Sequence, residues 1–329
     1  MKKILSITAL ALASLLSANA QTSVTGYWHS GDVFYKDIKE TPKYIAFCGG
    51  TCHEGGYSFG LSSTDVKTKT YQQEPVNWEG ELVETDEYYT MMKGNVVKHR
   101  IVNGEEVLLF YNGSTLTSIL KRFSSKDNSI ENEICKDIAE SIEGVYIDKK
   151  SNKRIVFNTN CTVSGIQGVA KFTFGEEFET PQLVLVMGKG NCFRVKRTLD
   201  GINLYRTVYN EEYDGYEDTN TLVYSLKKTA TTIPGAVGNY PFFSKKLATF
   251  GQLSNYSKEQ LKYIRNEIFA RHGYIFTPGG EMDKYFSTKS WYKALPKTKD
   301  VKLSETEQLN VALIKYTEAD PNYYGEPFE

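Results

Sequence analysis

Within eight residues the chain places Arg265, Glu267, Arg271 and His272: two guanidiniums, a carboxylate and an imidazole. Such groups bind anions or move protons. As a general base, His272 would need a nucleophile or a substrate proton within hydrogen-bond reach, and an orienting acid. Glu267 is five positions earlier, about 140° around a helix, and is poorly placed for that task. Arg265 and His272 are seven apart and share a face. Two readings stand. Either the four side chains fix a helix end and the loop after it through buried hydrogen bonds, or Arg265 and Arg271 grip a carboxylate or phosphate bidentately. With the aromatic residues that follow, the candidate binding set is Arg265, Arg271, His272, Tyr274, Trp291 and Tyr292. No catalytic residue is assigned.

Elsewhere the chemistry is thinner. Cys48-x-x-x-Cys52-His53 is half a zinc site, but structural zinc wants four ligands, and His29 and His99 would have to come from distant strands. No metal is expected. The acidic run 211–218 fits no calcium spacing and reads as a solvated hairpin tip. There is no HExxH or phosphate-binding glycine loop, and no cofactor is called for. Two carboxylates on separate strands would leave no trace, so a hydrolase stays open.

The charged cluster needs a helix to hold it. Ser257 and Gln260 form a capping pair, Leu261, Ile264 and Ile268 recur along one face, and Gly273 is a C-terminal stop. This predicts a helix over 258–272. Ser304 and Glu307 open a second helix over 305–317, with Leu309, Leu313, Ile314 and Tyr316 facing inward. Tyr285, Phe286, Trp291 and Tyr292 fill the space between them.

The run Phe269-Ala270-Arg271-His272-Gly273, with Asn239-Tyr240-Pro241 and Ser244-Lys245-Lys246-Leu247 upstream and Trp291-Tyr292 and Leu303-Ser304 downstream, resembles the YARHG domain. Phe269 replaces the tyrosine of the motif and removes one hydroxyl. The resemblance implies a small extracytoplasmic bacterial module found beside peptidases and kinases, and carries no activity with it.

The other end agrees with export. Lys2-Lys3, an apolar run from Ile4 to Leu16 and Ser17-Ala18-Asn19-Ala20 form a cleavable signal over 1–20, with no lipoprotein cysteine. After its removal no membrane span is expected, and the protein would be periplasmic or extracellular. A formal charge of -1 argues against nucleic acid. Export permits disulfides. Cys48 with Cys52 and Cys161 with Cys192 are the expected pairs, leaving Cys135 over, though sequence does not fix connectivity.

Between the ends, residues 21–125 alternate as strands, with Asn103-Gly104 as a tight hairpin turn. Residues 126–143 switch to a helical period, Ile130, Ile134, Ile138 and Ile142, with Asn128 and Glu131 as a cap pair. Residues 144–229 repeat the first unit: Gly144-Val145-Tyr146 parallels Gly26-Tyr27-Trp28, Leu226-Lys227-Lys228 parallels Leu120-Lys121-Arg122, and Asp200-Gly201 parallels Asn103-Gly104. A linker at 230–238, the YARHG-like module at 239–318 and a tail at 319–329 complete the plan. The fold class is therefore α+β and multidomain: two repeated antiparallel barrels or sandwiches, weakly lipocalin-like, then a small helical module. The expected role is non-catalytic binding of an envelope protein or cell-wall glycan. A hydrolase site in the β units and a carrier of a small apolar ligand are the alternatives.

Overall fold

The computed structural model describes residues 23–31, 33–49, 57–83, 93–124, 129–175, 184–188, 191–212, 215–295 and 301–321. The predicted signal segment, Cys52, His53, Asn128, the centre of the acidic run at 213–214 and the tail beyond 321 lie outside them.

The first eight strands are β1 (Trp28–His29), β2 (Phe34–Glu40), β3 (Ile45–Gly49), β4 (Tyr57–Asp65), β5 (Thr70–Glu74), β6 (Val96–Val102), β7 (Glu105–Asn112) and β8 (Thr115–Arg122). Each pairs antiparallel with the next, and β1 closes on β8 with Trp28 opposite Arg122, making a closed barrel. The β6–β7 turn has positive φ at both Asn103 (50°) and Gly104 (82°), the twist that a two-residue hairpin needs. Rings fill the interior: Phe47 stacks on Phe59 at 4.9 Å, Phe59 meets Phe110 edge-on at 5.6 Å, and the Arg122 guanidinium lies 4.4 Å from the Trp28 ring centre. Strand β7 is buried on both sides, which explains its unbroken run Val107-Leu108-Leu109-Phe110. Leu108 and Phe110 point into the barrel, whereas Val107 and Leu109 join a second core outside it.

Helix α1 (Ile130–Ile142) leads to β9 (Gly144–Asp148), β10 (Arg154–Phe157), β11 (Val163–Ser164), β12 (Thr173–Gly175), β13 (Val184–Val186), β14 (Cys192–Thr198), β15 (Gly201–Asn210) and β16 (Gly215–Ala230). The sheet order is β11-β10-β9-β16-β15-β14-β13-β12, again a meander whose first and last strands pair. It is a half-barrel, because β11 and β12 meet only through the bridge between Thr162 and Lys171. Ala139 and Ile142 of α1 enter its core beside Phe157, Phe172 and Leu185. Ser129, not Asn128, caps α1, through its side chain to the Asn132 N–H.

The repeat is visible atom by atom. Gly26 and Gly144 both have positive φ (139° and 151°), and Trp28 faces Arg122 as Tyr146 faces Lys228. A Cβ at Gly26 would overlap the Arg122 guanidinium, and one at Gly144 would lie 2.5 Å from Lys228 Cε. One predicted turn moves by a residue. The loop is Leu199-Asp200, and Gly201 opens β15, where a Cβ would strike the Leu226 carbonyl.

The expected Cys161–Cys192 disulfide is wrong. Cys161 is bonded to Cys135, with Cα atoms 6.7 Å apart, and Cys192 is a free thiol. Helix α1 packs into the half-barrel and carries Cys135 to the turn where Cys161 sits with φ 59°. Cys48 is in a disulfide.

Among the described residues, five helices form the C-terminal module: α2 (Phe242–Lys245), α3 (Phe250–Ser254), α4 (Lys258–Arg271), α5 (Glu281–Phe286) and α6 (Glu305–Ala319). Three of them are too short to show a period. Capping boxes start α3 (Thr249 with Gln252), α4 (Ser257 with Gln260) and α6 (Ser304 with Glu307). Their apolar faces share one core with the outer side of the closed barrel. Leu253, Ile264, Ile268 and Ile314 belong to the same cluster as Val107, Leu109 and Ile119.

Candidate functional site

The last turn of α4 ends in two bonds that satisfy its orphan carbonyls: Tyr274 N–H to Phe269 O at 3.2 Å and Gly273 N–H to Ala270 O at 2.9 Å, with Gly273 at φ 74°. Arg271 is committed inward. It pairs with Glu267 one turn earlier and donates to Val237 O at 2.9 Å and Ser244 Oγ at 2.8 Å. Burial lowers its pKa, against the pull of Glu267 and Glu307. Glu267, 1 % exposed, accepts from the N–H groups of Asn239 (3.1 Å) and Tyr240 (2.7 Å). The pair thus clamps the segment that enters the module, and a Cβ on Gly238 would overlap the Glu267 carboxylate.

His272 caps the helix and reaches α6, with Nε2 2.9 Å from Glu307 Oε1. Burial works upward on the Glu307 carboxyl, but hydrogen bonds from Ser304 and His272 outweigh it and hold its pKa below the usual range. Arg265 joins α4 to Glu318 of α6 at 2.7 Å. The two arginines and the histidine therefore do not converge on one point. Tyr274, Trp291 and Tyr292 are half-buried in a cluster around Phe276 and Phe286, and the Tyr292 hydroxyl donates to Tyr274 O at 2.8 Å. Three exposed apolar side chains surround this helix end: Val237 (45 % exposed) beside Arg271, Ile275 (40 %), and Leu295 (50 %) against Gly273.

A second place was missed in the sequence. Beside its isoleucine stripe, α1 carries buried Glu133, Asp137 and Glu140, with Glu143 at its end. Each ties a different neighbour. Glu133 accepts from Ser124 N–H at 2.8 Å, Asp137 from the Gln252 amide at 2.9 Å, Glu140 pairs with Lys246 at 3.0 Å, and Glu143 with Lys228 at 3.1 Å. Between this face, the outer wall of the closed barrel and α2 lies a cleft of about 310 Å³. At its floor His29 Nδ1 and Asp137 Oδ2 stand 3.7 Å apart, both buried and without a hydrogen bond. Burial, then Lys121, pushes His29 down to about 4, with Glu133 opposing. Burial raises Asp137 to about 7, with Glu140 and Glu133 adding to it and Lys121 opposing. The signal that could have found this face is the spacing 133, 137, 140, one side of a helix written in carboxylates.

A closed eight-stranded barrel, an opened repeat of it and a helical module define a β-rich protein in which α2, α3, α4 and α6 share a core with the outer side of the first barrel. Residues 241–319 match the family model of the YARHG domain, so the module around α4 and α6 is a YARHG domain. Such domains occur in exported proteins, and among the described residues no helix is long and apolar enough to cross a membrane. Comparison with curated proteins and with solved structures found no match.

Proposed function

We propose that this is an exported, non-catalytic binding protein of the cell envelope, whose YARHG domain docks an envelope protein or cell-wall glycan. The observation that carries this reading is the surface at the end of α4. The charged side chains there are committed to internal partners, while Val237, Ile275 and Leu295 stand exposed around them. Apolar side chains gathered at one place, rimmed by polar groups and half-buried rings, are the usual composition of a contact surface. Export follows from the N-terminal charge, apolar run and small-residue cleavage site. The filled interior of the closed barrel speaks for a scaffold over a carrier.

The test is retention of the full chain without residues 1–20 on purified cell wall and on immobilised envelope extract. The chain with Ile275→Glu and Leu295→Glu together should lose retention while its circular dichroism stays unchanged. Equal retention of both chains, or none by either, would overturn the reading.

A further inference from the structure

We propose that the cleft between the closed barrel, α1 and the YARHG domain is a binding site for a small oxyanion, a carboxylate or phosphate, held by Lys121 and Lys136. This lies apart from the surface at the end of α4 and does not depend on it. At about 310 Å³ the cleft is at the small end of ligand sites, and junctions between structural units are where such sites form.

The lining has more donor than acceptor capacity left over. Lys121, on the outward side of β8, has a side chain 8 % exposed, yet the nearest carboxylate oxygen, Glu105 Oε1, is 3.5 Å away. That is too long for a good ammonium–carboxylate bond, and an ammonium has three hydrogens to place. It also stands near the Phe242 ring, 5.6 Å away, and acts on His29 and Asp137 at the cleft floor. Lys136 donates to the neutral hydroxyl of Ser124. Apart from Asp137, whose Oδ2 has no hydrogen bond, the acids of the lining are occupied by protein donors. Glu105 Oε2 accepts from Leu247 N–H at 2.9 Å, Glu133 from Ser124, and Glu106 from His99 and Arg122 at 2.7 and 2.6 Å. Lys246 of the lining is taken by Glu140. Ammonium bonds to charged acceptors are about twice as strong as to neutral ones, so an anion is the ligand that completes these two lysines.

Six groups face Asp137: His29 from β1, Lys121 from β8, Gln252 from α3, and Glu133, Lys136 and Glu140 on its own helix. Holding its proton, Asp137 adds no repulsion at the cleft floor. Anion affinity should therefore fall as pH rises through about 7.

The test is calorimetric titration of the full mature chain at pH 6 with acetate, N-acetylglycine and inorganic phosphate. At least one anion should bind, and Lys121→Met and Lys136→Ala should each weaken it at least about tenfold. Lys67→Ala, on an exposed turn, should leave it unchanged. Binding by the carboxylates alone or by phosphate alone identifies which anion the site takes, and either supports it. No binding by the unaltered chain, or equal binding by both lysine variants, overturns the proposal. Should Lys121→Met not fold, Lys136→Ala on the rim of α1 decides.

Discussion

The closed barrel and the half-barrel have the same strand order and the same end geometry, a positive-φ glycine and an aromatic residue facing a cation on the last strand. They part at one seam. Strands β3 and β4 have five and nine residues and pair along five positions, whereas β11 and β12 have two and three and share a single bridge. A short strand cannot complete a ladder, so the second barrel must be finished by something else. Helix α1 and the Cys135–Cys161 disulfide supply it. The first barrel has closed on its own backbone and uses its outer face differently, giving Val107, Leu109 and Ile119 to the YARHG domain. Closure is thus a matter of strand length, and what remains unclosed recruits side chains.

The largest expected effect separates ring packing from plugging. Phe47→Ala in the closed barrel should cost about 3–5 kcal/mol, and Ile142→Ala on α1 about 2–5 kcal/mol, in denaturant midpoints. If α1 were only a connector, the second change would stay within about 0.5 kcal/mol, and the contrast between the two barrels would collapse.

Next comes the disulfide. Cys135 and Cys161 enclose a loop of 26 residues, and replacing both with serine should cost about 3 kcal/mol. Hydrogen exchange should report the loss in β9 to β12 and leave β1 to β8 protected. Equal loosening of both barrels would mean that the half-barrel has no separate fastening.

At the joint between the barrels the expected effect is a change of slope with pH. Ordinary values are 3.8 for Asp137 and 6.5 for His29, against about 7 and about 4 in the fold. Between pH 4 and 6.5 the folded pair holds one proton on Asp137 and the unfolded pair one on His29, so the two dependences oppose and stability is nearly level. Asp137→Asn leaves the histidine alone. Its folded pKa is lowered, the unfolded chain binds the extra proton, and stability should rise from pH 4 to 6.5. His29→Gln leaves the carboxyl alone. Its folded pKa is raised, so its contribution is present below about 4 and lost as pH rises through 7. Level curves for both variants would remove burial as the cause.

The smallest effect belongs to the YARHG motif. His272→Ala breaks a half-exposed bond to Glu307 and should cost about 1 kcal/mol or less, a few degrees at most in thermal melting. A collapse of the module would instead make His272 the main link between α4 and α6.

Periodicity and capping made much of this chain legible before any coordinates. Asn103-Gly104, Ser257 with Gln260, Ser304 with Glu307 and the two glycine-aromatic openings are local devices, and each works through backbone geometry within a few residues. Thr249 with Gln252 is the same local capping signal for α3. The Cys135–Cys161 bond, the cleft at His29 and Asp137, and the core joining β7 and β8 to α6 depend on groups 26 to more than 200 positions apart. A helix tells from its own sequence that it has an apolar face. Which barrel receives that face, and what meets the carboxylates beside it, is settled only when distant surfaces exclude water together, because burial belongs to the assembled fold and to no single segment.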